Sequence, residues 1–219
     1  MDYSEIRREA RESLRGNVLT CFGAGFVLWL IMCVAGFTVI GSLILAGPVA
    51  LGVSMLAMQV SRTNKGEFGT AFKGFNRLGD AFVACFLTGL FIFLWALLGL
   101  ISYGIAIATS ISTGEINYVA LFLTFPLMIP AVICGYRYSM VYFILNDNPE
   151  MSGTEAMKAS KEMMKGHKWE LFVLHLTFIG WIILSPFTLY LLLIWLIPYM
   201  RISQVKFYER IKSAQTTAA

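Results

Sequence analysis

Long apolar runs alternate with short basic clusters along this chain. The runs predict six membrane spans, at about residues 18–40, 45–60, 81–110, 118–145, 169–184 and 187–205. Runs of about 18 or more apolar residues are long enough to cross a bilayer as helices. The second and fifth are short for an untilted helix. Gly41 and Ser42 form a turn between the first two, and Ser185-Pro186 divides the last two. Proline removes a helix hydrogen bond and crowds the preceding turn, so it breaks what otherwise reads as one long helix.

Three stretches carry a different pattern. Over residues 3–15, Tyr3, Ile6, Ala10 and Leu14 share one helical face, with Arg7, Arg11 and Arg15 beside it. Asp2 with Glu5 fits a capping box, in which side chains satisfy free N–H groups at the helix start. Residues 154–167 repeat this after a Ser152–Glu155 box. Ala156, Ala159, Met163 and His167 line one face, Met164 its edge, and Lys158, Lys161, Lys165 and Lys168 the basic stripe. Over residues 67–78, Phe68, Phe72, Phe75 and Leu78 oppose Lys73 and Arg77. An apolar stripe bordered by cations predicts an amphipathic helix in the headgroup layer, or one tucked beneath the bundle as a linker.

Each such helix precedes a pair of spans, so the chain reads as one unit repeated three times. Ser4-Glu5 stands twelve residues before Gly16-Asn17, as Thr154-Glu155 does before Gly166-His167. The returning spans carry Pro48, Pro130 and Pro198 near their starts. Proline is tolerated in a first turn, where its missing N–H has no partner to lose; in a helix that begins earlier it becomes a kink. In the second span Ala46, Ala50 and Ser54 recur every four residues, a spacing that permits close helix approach.

Of the 17 Lys and Arg residues, only Arg137 lies outside four clusters. The clusters border the first span, the links between spans two and three and between four and five, and the tail. The other links hold no Lys or Arg, and Glu115 is their one charge. The positive-inside rule then places both termini in the cytoplasm. With 58% hydrophobic and 14% charged residues and a mean hydropathy of +0.71, a soluble fold is excluded. Residues 1–219 read as a single membrane domain, an all-α polytopic helical bundle whose partner is the lipid bilayer. The net charge of +4 does not make a nucleic-acid footprint, because the cations sit beside spans. No signal peptide is expected: the first run is too long for one and no small-residue cleavage site follows it.

Candidate chemistry is sparse. Arg137 is a charge within an apolar run, hence a functional hypothesis. It reads as a ligand for an anionic substrate or headgroup, or as the partner of an acid such as Asp80, or as a side chain that snorkels to the interface among Tyr136, Tyr138 and Tyr142. His175 reads as a packed, hydrogen-bonded histidine. Cys21, Cys33, Cys85 and Cys134 have no metal-ligand spacing and read as small packing residues. No metal, no cofactor and no catalytic residue is expected, since protease, hydrolase and nucleotide-binding motifs are missing.

Further segments carry a resemblance: Tyr138-Ser139-Met140, Ile144-Leu145-Asn146-Asp147-Asn148-Pro149, residues 160–169, Phe178-Ile179-Gly180-Trp181, residues 195–199 and Phe207-Tyr208-Glu209. With Gly47-Pro48 and Leu51-Gly52, they resemble a bacterial integral-membrane family known as domain of unknown function 975. The resemblance implies a multi-pass protein of the bacterial cytoplasmic membrane and supplies no activity. Residues 103–117 are longer and more polar than that pattern, and His167 stands where asparagine is familiar. The expected function is non-enzymatic: binding of a protein partner or anionic lipid through the basic helices. The alternative is a transporter or permease-like protein with Arg137 at its substrate or headgroup site.

Overall fold

The computed structural model describes residues 2–188 and 191–218. Its elements are α1 (Tyr3–Leu14), α2 (Val18–Ala35), α3 (Val39–Thr63), a 3-10 segment (Phe68–Arg77), α4 (Leu78–Thr113), α5 (Tyr118–Arg137), α6 (Val141–Asp147), α7 (Gly153–Met163), α8 (Lys168–Leu184), a 3-10 turn (Ser185–Thr188) and α9 (Leu192–Ala218). No strand occurs among the described residues.

Five segments among the described residues are long and apolar enough to cross a membrane: Val18–Ala35, Ile40–Thr63, Phe68–Thr113, Tyr118–Asp147 and Lys168–Thr188. The sixth predicted span, 187–205, is not one of them. Its first residues finish the 3-10 turn, residues 189 and 190 lie outside the described residues, and α9 carries Arg201, Lys206 and Glu209 within eighteen residues of its start. The second span, expected to be short, is a 25-residue helix. The fourth is interrupted: α5 stops at Arg137, and Tyr138–Met140 turn the chain before α6.

Protein packing is concentrated at one end of the bundle. Ile6, Ala10 and Leu14 of α1 are fully buried, and α1 packs along α9. Phe143, Ile144 and Leu145 of α6 join Met58 and Val60 of α3 and Ile202, Val205, Phe207 and Tyr208 of α9 in the same core. At the other end Phe37, Ile111 and Phe187 are 91%, 80% and 83% exposed. Apolar side chains left open at that density face lipid rather than water.

Ion pairs close the packed end. The Asp147 side chain is only 7% exposed. It accepts from Arg62 Nη1 at 2.8 Å, Tyr208 Oη at 2.9 Å and Lys212 Nζ at 2.6 Å. Arg62 also reaches Glu209 at 2.8 Å. The ends of α3, α6 and α9 are thereby tied together. Arg210 of α9 binds Glu5 and Glu9 of α1, each at 2.9 Å.

Of the three predicted surface helices, α1 and α7 cover the bundle with their apolar sides, whereas the middle one buries Thr70, Ala71 and Gly74 and leaves Phe68 and Leu78 of its expected apolar face exposed. The 3-10 segment packs on α3, and α7 packs on α4 and α6. The middle one is wound as a 3-10 helix that continues directly into α4, where an α-helix was expected. This segment and the start of α4 cross the α3 backbone closely. A Cβ at Gly52 would overlap the Ala71 carbonyl oxygen, one at Gly74 the Pro48 carbonyl oxygen, and one at Gly47 the Ala81 carbonyl oxygen. Close approach in this span therefore uses Gly47 and Gly52.

The first and third surface helices share local geometry. Ser152 and Glu155 form the reciprocal box at α7, and those bonds hold the Glu155 carboxyl below the usual carboxylate range. At α1 only half the box is made: Asp2 accepts from the N–H groups of Ser4 and Glu5 at 2.9 and 3.3 Å, while Glu5 turns to Arg210. Each helix is followed by a left-handed glycine, Gly16 at φ +85° and Gly166 at φ +83°, a conformation glycine adopts without steric cost. Asn17 then donates to the Asn64 carbonyl at 2.9 Å and accepts from Gly66 N–H at 2.8 Å. His167, in the matching place, pairs with Glu170 at 2.6 Å. Pro48, Pro130 and Pro198 lie inside α3, α5 and α9, past the first turn of each; of the three, only α3 begins earlier than expected. Each frees the carbonyl four residues before it.

Two substitutions test this packing. Gly52→Ala forces apart the α3 crossing and is expected to cost about 1–3 kcal/mol, read as a lower thermal midpoint in detergent; Gly25→Ala, with open space at its Cβ, leaves it unchanged. Asp147→Asn weakens bonds to two cations and is expected to cost about 1.5–3 kcal/mol.

Candidate functional site

A seam of half-buried polar side chains runs where α5, α8 and α9 meet, with the exposed Arg201 at one end. Arg201 Nη1 donates to Gln204 Oε1 at 3.3 Å. The amide nitrogen of Gln204 lies 2.6 Å from His175 Nε2, and His175 Nδ1 lies 3.1 Å from the Tyr136 hydroxyl. With Gln204 Oε1 accepting from Arg201, its amide nitrogen donates to His175 Nε2. That assigns the ring hydrogen to Nδ1, which donates to Tyr136. Tyr142 of α6 hydrogen-bonds Cys85 of α4 and lies within electrostatic reach of Arg201.

The sequence places these residues by register. Tyr136 is one residue before the end of α5, and His175 is two turns into α8. Arg201 and Gln204 are three apart, hence neighbours on one face of α9. Arg201 lies eight residues before Glu209, about 12 Å along the axis at 1.5 Å per residue, and so inward of the ionic cluster at the packed end. Among the described residues its guanidinium forms no ion pair.

Beside the seam is a cavity of about 500 Å³ between α2, α3 and α9. Phe22, Phe26, Trp29, Leu56 and Ile197 make most of its apolar wall, and Arg201 is its one charged lining residue. Phe26, Trp29 and Ile197 on its walls are about half exposed. The volume lies within the range of small-molecule pockets, about 300–1,000 Å³.

The other predicted site residues scatter. Arg137 is the last residue of α5, where a cation complements the helix dipole. Its carbonyl accepts from Ser160 Oγ of α7 at 3.0 Å, while its guanidinium is half-buried and makes no ion pair or hydrogen bond among the described residues. It does not meet Asp80. That carboxylate binds Arg77 at 2.9 Å, and Arg77 also donates to the Leu145 and Met151 carbonyls. Tyr138 stacks on Phe91 with ring centroids 6.0 Å apart. Tyr136 and Tyr142 turn into the seam instead of forming a belt. In the basic stripe, Arg7 donates to the Tyr3 carbonyl at 3.3 Å, Lys165 pairs with Glu162 at 2.5 Å, and Lys168 is half-buried. Arg11, Arg15, Lys158 and Lys161 are exposed. No cluster of three or more His, Cys, Asp or Glu side chains able to hold a metal occurs among the described residues.

Residues 1–215 match the family described as Protein of unknown function (DUF975). The chain belongs to that family. No curated protein and no solved structure matches it. In this DUF975 chain the close-packed motifs are now structural: Gly47 and Gly52 admit neighbouring backbone, and Asp147 is the ionic hub. Arg201 is the residue the sequence reading missed. It stands in the fourth basic cluster, where orientation already explains a cation; its three-residue spacing from Gln204 was the available signal.

Tyr136→Phe and Gln204→Leu each leave one His175 nitrogen without its partner. Each is expected to cost about 1–3 kcal/mol in thermal or denaturant unfolding. The double variant is expected to lose less than the sum, because both act through one ring.

Proposed function

We propose that this chain is a non-enzymatic multi-pass protein of the bacterial cytoplasmic membrane, with both termini cytoplasmic, that binds anionic lipid headgroups on its charged end. The observation that carries the reading is the way the surface segments are seated. The apolar sides of α1 and α7 are covered by protein, so these helices present Arg11, Arg15, Lys158 and Lys161 outward, with no carboxylate at ion-pair distance among the described residues and only Glu155 and Glu162 in electrostatic reach of Lys158 and Lys161. Exposed cations without a close ion pair attract an anionic leaflet, each by about 1 kcal/mol near the surface. The same groups suit an acidic membrane-protein partner.

Orientation follows from the same distribution. The far end, at residues 36–38, 114–117 and 185–188, holds no Lys or Arg and the single charge Glu115. The matched caps and left-handed glycines at α1 and α7 support a threefold ancestry, with the 3-10 segment as the divergent middle copy and α9 as the sixth, charge-bearing span. The permease-like alternative draws support from the polar seam, and its centre moves from Arg137 to Arg201.

The test neutralises Arg11, Arg15, Lys158 and Lys161 together in the full chain. Wild-type protein in detergent is expected to be stabilised more by added phosphatidylglycerol than by phosphatidylcholine, and the variant to lose at least half of that difference. Equal differences in the two proteins overturn the proposal.

A further inference from the structure

We infer that the cavity between α2, α3 and α9 is a binding site for one anionic amphiphile, its acyl chain along the Phe22, Phe26 and Trp29 wall and its acidic headgroup on Arg201. The inference goes beyond the surface reading, since none of the outward cations of α1 or α7 lines this cavity.

Three independent features converge. The first is uncompensated charge. Arg201 is an exposed residue that cannot lose its proton in a protein, and a cation facing the bilayer beside an apolar wall is costly without an anion. Among the described residues it has no carboxylate partner, and it spends one N–H on Gln204 at 3.3 Å. The remaining donors of the planar fork match the two oxygens of a carboxylate or phosphate.

The second is the lining. Apart from Arg201, the wall is built from apolar side chains, small residues and Cys21, which suits a hydrocarbon chain and gives ordered water few partners. Gly25 contributes space: nothing lies within 4 Å of where its Cβ would stand. The third is access. Phe26, Trp29 and Ile197 are 46%, 58% and 54% exposed. Phe26 and Trp29 belong to α2, one of the segments apolar enough to span the membrane. An occupant therefore enters sideways from the bilayer. The seam supports the same geometry from behind: Gln204, fixed by His175 and Tyr136, holds the guanidinium on the cavity wall.

The headgroup chemistry is shared by a free fatty acid and an anionic phospholipid, and the experiment separates them. Trp29 on the wall is a reporter, because bromine atoms on an acyl chain quench nearby indole fluorescence. Full-length protein in neutral detergent is titrated with dibromostearic acid, its methyl ester, and phosphatidylglycerol carrying dibromostearoyl chains.

The expected result is saturable quenching by at least one of the two anions, at least tenfold tighter than by the ester; which anion is tighter names the source. Trp29→Phe removes the saturable component. Arg201→Gln weakens anion binding about tenfold and leaves the ester unchanged, whereas Arg201→Lys retains most of it. Gly25→Leu fills the cavity and abolishes the saturable quench. The quadruple surface variant, Arg11, Arg15, Lys158 and Lys161 to Ala, retains it, so failure of the surface reading leaves this one standing. Equal affinity for acid and ester in the wild-type protein overturns the inference without any variant. So does unchanged anion binding by Arg201→Gln or by Gly25→Leu.

Discussion

The carboxylate of Asp147 is the point on which the charged end depends. Three donors from two other helices converge on it: Arg62 from the end of α3, and Tyr208 and Lys212 from α9. The helix that carries it, α6, is only seven residues long and could not hold its place by propensity, since isolated short helices are marginal in water. Its apolar residues Phe143, Ile144 and Leu145 fill the core directly behind the carboxylate. Burial and charge pairing thus reinforce each other. The carboxylate is shielded enough for its bonds to count, while its cations, Arg62 and Lys212, are 41% and 48% exposed and keep part of their hydration.

Much of this architecture was legible along the chain. The apolar runs marked α2 to α5 and α8, and the capping residues Asp2 and Ser152 marked the starts of α1 and α7 to within a residue. These features rest on local chemistry, which sequence records directly. What escaped was set by distant partners. The 3-10 segment Phe68–Arg77 crosses α3 with Gly74 against the Pro48 carbonyl, residues 26 positions apart. The break at Tyr138–Met140 is held by Ser160, which bonds both the Arg137 carbonyl and Met140 N–H. Neither has a local signature.

The contrast between two arginines carries the same lesson for the site. Arg137 drew attention because it stood alone in an apolar run, yet α5 ends at that residue and α7 packs beside it. Arg201 drew none because a cation after an apolar run is expected at the cytoplasmic side. Its distinguishing property is three-dimensional: α2 and α3 approach α9 without supplying a carboxylate. Hydropathy and charge counting treat both residues by their neighbours in sequence, whereas their roles are set by which helices close around them.

The uneven distribution of packing has a further consequence for α4 and α5. At 36 residues α4 is about 54 Å long, against a hydrocarbon thickness of about 30 Å. Toward its far end it touches little besides α5, through contacts such as Met128 against Gly99 and Ser102 Oγ to the Ala120 carbonyl. A helix of that length must tilt or run past the hydrocarbon layer, and a thinner membrane calls for more tilt. The packed end has little room to give: a Cβ at Gly153 of α7 would stand 2.5 Å from the Asp80 carbonyl oxygen of α4.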